Sequence, residues 1–94
     1  MPKKTLRMAQ RRIKRHLPRG YRLVLFGSWA NGTATKVSDL DFGITGSKPL
    51  PLSVMHQIHE DLETLPTLRK IDIVDLQSVS ARFKKNILAY AKRL

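Results

Sequence analysis

The sequence predicts an α/β (α+β) domain in which a small mixed β-sheet of three or four strands packs with three helices. Three observations lead there. Apolar residues recur at helical spacing in three stretches, three short runs between them are rich in β-branched, aromatic or alternating apolar residues, and glycine or proline separates the runs. With 94 residues the chain has room for one modest core. It therefore reads as a single domain over 1–94: a basic N-terminal helix within 1–20, a sheet core over 21–76 and a basic C-terminal helix within 77–94.

From Thr5 to Leu17, Leu6, Ala9, Ile13 and Leu17 form an apolar stripe among basic residues, and Pro18 with Gly20 ends it. Tyr21–Phe26 (YRLVLF) reads as a buried strand that stops at Gly27, followed by a turn or helical start. Asn31, Gly32, Thr33 and Thr35 are loop residues. After them Leu40, Phe42 and Ile44 alternate with Asp39, Asp41 and Gly43, the period of a strand with two different faces. Residues 46–51 break that pattern. A third stretch places Met55, Ile58, Leu62 and Leu65 on one helix face, ending before Pro66, with Ser53 as the expected N-cap. Lys70–Leu76 (KIDIVDL) reads as the third strand, and Ser80 caps a final helix carrying Phe83, Ile87, Tyr90 or Ala91, and Leu94.

The chain has no cysteine, which excludes disulfides, thiolate metal sites and a thiol nucleophile and fits a reducing cytoplasm. Residues 1–17 contain no apolar signal core and no apolar run spans a bilayer, so the expectation is a soluble, unexported protein. The net charge of +11 is unevenly spread. Residues 1–22 carry nine Lys/Arg and no acid, residues 23–76 carry all seven acids against four bases, and residues 77–94 add five bases. An acidic middle between two basic ends suits a polyanionic ligand or acidic partner, although solvated helix faces would look the same.

The chemistry is concentrated in FGSWANGTATKVSDLDFGI, residues 26–44. Residues two apart on a strand point to one side, so Asp39 and Asp41 project together, within reach of one cation. With Leu40, Phe42 and Ile44 behind them, the two anions repel in poorly solvated surroundings unless a divalent metal compensates them, and hard carboxylate oxygens suit Mg²⁺ or Mn²⁺. Gly27 permits a sharp turn and a close ligand approach, while the amides that follow it and the Ser28 hydroxyl can donate to phosphate oxygens. Triphosphate at Gly27 and Ser28 with metal at Asp39 and Asp41 is the arrangement for in-line displacement at an α-phosphate, with pyrophosphate leaving.

This pattern, G-S, ten residues, D-x-D, then an acid flanked by apolars on a later strand, resembles the polymerase β-like nucleotidyltransferases over most of the chain. The resemblance implies a third carboxylate on a strand beside the D-x-D strand that binds the metal and helps activate the acceptor hydroxyl. Asp72 in Ile71-Asp72-Ile73 fits it. Asp75 is also flanked by apolars, but three residues on it should face the other side, so only one of the two joins and Asp72 is favoured. The small size, the G-S-x-x-x-G-T run and the ending IDIVDLQSVSARFKKNIL are similar to the stand-alone minimal nucleotidyltransferases (MNT) of prokaryotes. That likeness implies a helical HEPN partner, an RNase toxin, with AMP passed from ATP to a toxin tyrosine by its antitoxin. Many members carry basic residues at the positions of Trp29 and Asn31; Lys36 or the basic ends are the candidates to replace them.

Other readings of the same residues are an antitoxin that acts by binding alone, transfer to a small molecule, and a nucleic-acid-binding module built on the basic ends. Asp41-Phe42-Gly43 lacks every other kinase feature. His56 and His59 have no third ligand nearby in sequence, and Trp29 is expected to close the edge of the core.

Overall fold

The computed structural model describes residues 1–94. Four helices, α1 (Lys3–Lys14), α2 (Ser28–Asn31), α3 (Leu52–Glu63) and α4 (Ala81–Leu88), alternate with four strands, β1 (Arg22–Phe26), β2 (Leu40–Thr45), β3 (Ile71–Asp75) and β4 (Lys92–Arg93). The strands form one sheet in the order β3-β2-β1-β4. β1 runs antiparallel to both β2 and β4, whereas β2 and β3 are parallel. A parallel pair needs a long crossover, and α3 supplies it.

The sheet has two unequal faces. Leu23 and Leu25 of β1, Leu40, Phe42 and Ile44 of β2, and Ile73 of β3 form one core with Ala9 and Ile13 of α1 and Ile58 of α3. These are the alternate positions that the strand period places together, and Phe42 at the centre is fully buried. The other face is covered only in part. There Val24 and Leu76 pack against Ile87 of α4. Gly43 lies beneath this small cluster, where an added Cβ would stand 2.9 Å from Leu76 Cδ1 and 3.1 Å from Val24 Cγ2. No helix is long and apolar enough to cross a membrane.

Helices α1 and α3 are also joined by charge. Arg12 donates to Asp61 Oδ1 at 2.7 Å and Thr64 Oγ1 at 2.8 Å, while His16 Nε2 and Asp61 Oδ2 lie 2.7 Å apart. Asp61 is 14% exposed. The last turn of α1 is basic, with Arg11, Arg12 and Lys14 placed favourably at the negative end of the helix dipole.

Three expectations are corrected. Pro51, not Ser53, is the N-cap of α3, and Ser53 lies within the helix. Proline suits that position because its fixed φ leads into the helix and its carbonyl accepts from Val54 and Met55. The basic C-terminal segment is not a helix to its end: α4 stops at Leu88 and Lys92–Arg93 turn back as β4. The edge of β1 offers unpaired backbone groups, which β4 takes up, and Leu94 N–H donates to Leu23 O at 3.0 Å. The N-terminal helix likewise ends at Lys14, and the bonds His16 N–H to Ile13 O and Leu17 N–H to Lys14 O tighten its exit. Ser80 does cap α4, accepting from Phe83 N–H at 3.2 Å.

The hydrogen bonds from His16 and then Arg12 hold the Asp61 carboxyl below its ordinary value of 3.8. A lowered folded-state value means that this clamp stabilises the protein fully above 3.8 and is lost as pH falls through the lowered value. In thermal melts across acid pH, wild type should therefore exceed Asp61→Asn at neutral pH and converge on it in acid. A gap independent of pH would contradict the clamp.

Candidate active site

β1 ends at Phe26, which is in register with Asp41 of β2. At the next residue the chain turns with φ of +71°, open to glycine and disfavoured for other residues. Space demands glycine as well, because a Cβ at residue 27 would run into the Asp41 carboxylate. The backbone of Gly27 thus rests on one of the two D-x-D carboxylates. Ser28 opens α2 immediately afterwards, and the first amides of a helix have no intrahelical acceptor, so they face outward as donors.

Asp41 and Asp72 are Cα partners across the parallel β2–β3 pair. Adjacent strands lie about 4.8 Å apart, so two carboxylates stand side by side. Asp39 precedes β2 by one residue and, two before Asp41, shares its side of the chain. All three are on the sheet face away from α1 and α3, the face that α4 covers in part. Asp75 lies on the other side. It accepts from Leu50 N–H at 2.7 Å, Gln77 N–H at 3.0 Å and Ser78 Oγ at 3.1 Å, and so fastens the loop before α3 to the end of β3.

The electrostatics match this geometry. Burial, then the Asp72 carboxylate and then Asp39, raise the Asp41 carboxyl above its ordinary value, and only Lys70 opposes them. Lys70 Nζ lies 3.9 Å from Asp72 Oδ1 in an exposed pair of small energetic weight. The side chains are not drawn together as a preformed three-ligand set. The donors are hard oxygens under mutual repulsion, which fits Mg²⁺ or Mn²⁺. Asp39, Asp41 and Asp72 are each half-buried and together form a carboxylate ledge at this end of the strands.

Two neighbours were not singled out as site residues by sequence. Tyr90, expected as one alternative in the last helix's apolar stripe, is instead exposed beyond α4, and its Oη accepts from Gly27 N–H at 3.4 Å. That is long for a hydrogen bond. Ala91 packs against the small cluster in its place. Arg69 braces the loop that delivers Asp39: its Nη1 donates to Ser38 O at 2.6 Å and its Nη2 to Lys36 O at 2.9 Å. Trp29 Nε1 donates to the same Ser38 O at 3.2 Å, and the Arg69 guanidinium sits 5.7 Å from the centre of the Trp29 ring. Trp29 packs at the edge of the larger core, and this brace is its polar half. No local motif announces a pairing between residues forty apart. His56 forms an exposed pair with Glu60 at 2.8 Å, away from the carboxylates.

Comparison with known proteins adds the lineage of this arrangement. Residues 14–94 match the family described as polymerase beta, nucleotidyltransferase. The structure of a minimal nucleotidyltransferase is 29% identical, with a TM-score of 0.71 over 100% of this chain and 97% of that one. A Shewanella oneidensis MNT antitoxin in complex with its tri-AMPylated HEPN toxin aligns at 18% identity and TM-score 0.70, covering 99% of this chain and 71% of that one. A toxin–antitoxin structure with AMP-PNP aligns at 20% identity and TM-score 0.66, covering 99% and 72%. The last two show likeness of fold. No curated protein matches the sequence.

Two outcomes are expected. Because the folded-state value of Asp41 is raised, its charge opposes folding: the penalty is absent below 3.8 and complete above the raised value. Without divalent cation, Asp41→Asn should therefore melt above wild type at neutral pH, and lose that advantage in acid. A lower melting temperature for the variant at neutral pH would contradict the crowding. Separately, Arg69→Ala should lower unfolding stability by about 2 kcal/mol in urea titrations, since it removes two charge-assisted bonds. A loss below about 0.5 kcal/mol would mean that the brace is slack.

Proposed function

The chain belongs to the polymerase β nucleotidyltransferase family, and on that premise we propose that it transfers AMP from ATP to a hydroxyl on a protein partner. The acceptor proposed is a tyrosine of a HEPN-type toxin, which makes this chain an antitoxin that acts by adenylylation. The observation that carries the reading is the register of Asp41 with Asp72 beside the Gly27 backbone, which supports a cation site and a phosphate site next to each other on one ledge. The complexes of MNT antitoxin with HEPN toxin support the choice of partner, and the AMP-PNP complex the choice of nucleotide.

In this mechanism the amides after Gly27 and the Ser28 hydroxyl would hold the triphosphate, and Asp39, Asp41 and Asp72 would hold Mg²⁺ or Mn²⁺. The bound cation would supply charge neutralisation for attacking and leaving oxygens. Asp72, whose side chain is 41% exposed, accepts the proton of the acceptor hydroxyl. The acceptor oxygen bonds to the α-phosphorus, the bond from that phosphorus to the bridging oxygen breaks, and pyrophosphate leaves. Arg69 and Trp29 act at one remove by holding the loop that positions Asp39.

Incubating the purified chain with labelled ATP, Mg²⁺ and its HEPN partner should label the partner by one or more AMP units. Asp39→Ala with Asp41→Ala should reduce transfer by about a thousandfold or more, the equivalent of about 4 kcal/mol of transition-state stabilisation. Undiminished transfer in the double variant, or none in wild type, would overturn the reading. Rescue from toxicity by the double variant would instead indicate neutralisation by binding alone.

A further inference from the structure

We propose that this protein carries a second anion site, a continuous basic face that binds the phosphate backbone of a nucleic-acid duplex. The fold itself assembles the face. The basic residues lie at the two ends of the sequence, and the antiparallel pairing of Val24 with Arg93 and Leu25 with Lys92 brings those ends together. Arg7, Arg11 and Lys14 form a ridge along the solvent side of α1. Lys14 also lines the adjoining groove with Arg22 and Arg93, and these two arginines line the next groove with Lys84. Shared residues thus link the ridge to both grooves in a band that passes round the β4 edge of the sheet, from α1 on one side to α4 on the other.

Arg15, which also lines the α1 ridge, meets an acid, its Nη1 lying 3.8 Å from Asp61 Oδ2, but the other cations are unpaired. No acidic residue lines the ridge or either groove, and none of the six cations has an ion-pair partner within 4.0 Å. The acids are elsewhere: Asp61 is committed to the α1–α3 clamp, Glu60 pairs with His56, and Asp39, Asp41 and Asp72 occupy the ledge. Cations held together repel one another, so a ligand with regularly spaced negative charge gains from the whole array.

ATP at the ledge does not account for this face. The grooves meet β1 at Arg22, whose partner is Thr45, whereas the ledge is at the Phe26–Asp41 end. Four residues of strand separate them, roughly 13 Å at about 3.3 Å per residue. A duplex is favoured over a single strand because the face has no free aromatic platform for bases. Tyr21 is the one aromatic residue in the two grooves, and its hydroxyl donates to Pro49 O at 3.0 Å while Gly46 lies against its ring. A polar, strongly positive surface without aromatic anchors is also more typical of nucleic-acid than of protein interfaces.

The test is fluorescence anisotropy with labelled DNA and RNA duplexes of roughly twenty base pairs, titrated with wild type from about 50 to about 200 mM salt. Six phosphate contacts would weaken binding by about a thousandfold across that range. Arg22→Ala with Arg93→Ala should reduce the loss to about a hundredfold, and Arg7→Ala with Arg11→Ala, which alters only the solvent side of α1, should do the same. Lys36→Ala with Lys70→Ala removes equal charge at the ledge end of the strands, off the face, and should leave the salt dependence as in wild type. ATP with Mg²⁺ should not compete. Whichever duplex binds more tightly identifies the physiological form. Poly-glutamate binding as tightly as either duplex, equal loss in the off-face variant, or displacement by ATP would each overturn the proposal, indicating respectively an acidic protein partner, mere net charge, or the nucleotide site.

Discussion

Two carboxylates held side by side on parallel strands set the terms for the rest of this structure. The β2–β3 register makes Asp41 and Asp72 neighbours, and the two-residue period adds Asp39 to the same side. The cost is visible in the raised Asp41 carboxyl. A domain of 94 residues has little stability to spare against such repulsion. The sheet can hold these charges in place only because its other face is well packed, with Phe42 and Ile44 alternating with the aspartate positions and fully buried. The same residues therefore build the core and aim the carboxylates.

The layers follow from this division. α1 and α3 close one face and are fastened together through Asp61, while α4 covers the other face only over Val24 and Leu76. Full coverage would bury the ledge. The close contact of Gly27 with Asp41 then brings the turn after β1 onto the carboxylates, and the Arg69–Trp29 brace fixes the loop on their other side. Antiparallel closure by β4 has a separate consequence, the joining of two basic segments at the far end of the strands.

The order of the elements as far as α4 was legible in the sequence because each has a clear period: Leu40, Phe42 and Ile44 could not be misread as helix, nor Leu6, Ala9 and Ile13 as strand. The juxtaposition of Asp39 with Asp41 needed only strand geometry, whereas the placement of Asp72 needed a resemblance, since strand order is not written in local spacing. The misread C-terminal segment has a tertiary cause, unlike the local proline effect that moved the α3 cap to Pro51. Residues 89–94 continue a helical pattern, yet the open edge of β1 outcompetes it, a tertiary effect absent from any local window. Arg69 and Tyr90 were invisible as neighbours of the site for the same reason: each acts across a contact between residues distant in sequence.

The central claim is that the ledge carboxylates share one divalent cation and that Asp72, not Asp75, completes the set. Titrating Mn²⁺ into the protein while following its electron paramagnetic resonance signal tests this without ATP, partner or turnover. Asp72→Asn should weaken Mn²⁺ binding by about tenfold or more, and Asp75→Asn should bind as wild type does. Undiminished binding by Asp72→Asn, or an equal loss in Asp75→Asn, would contradict it.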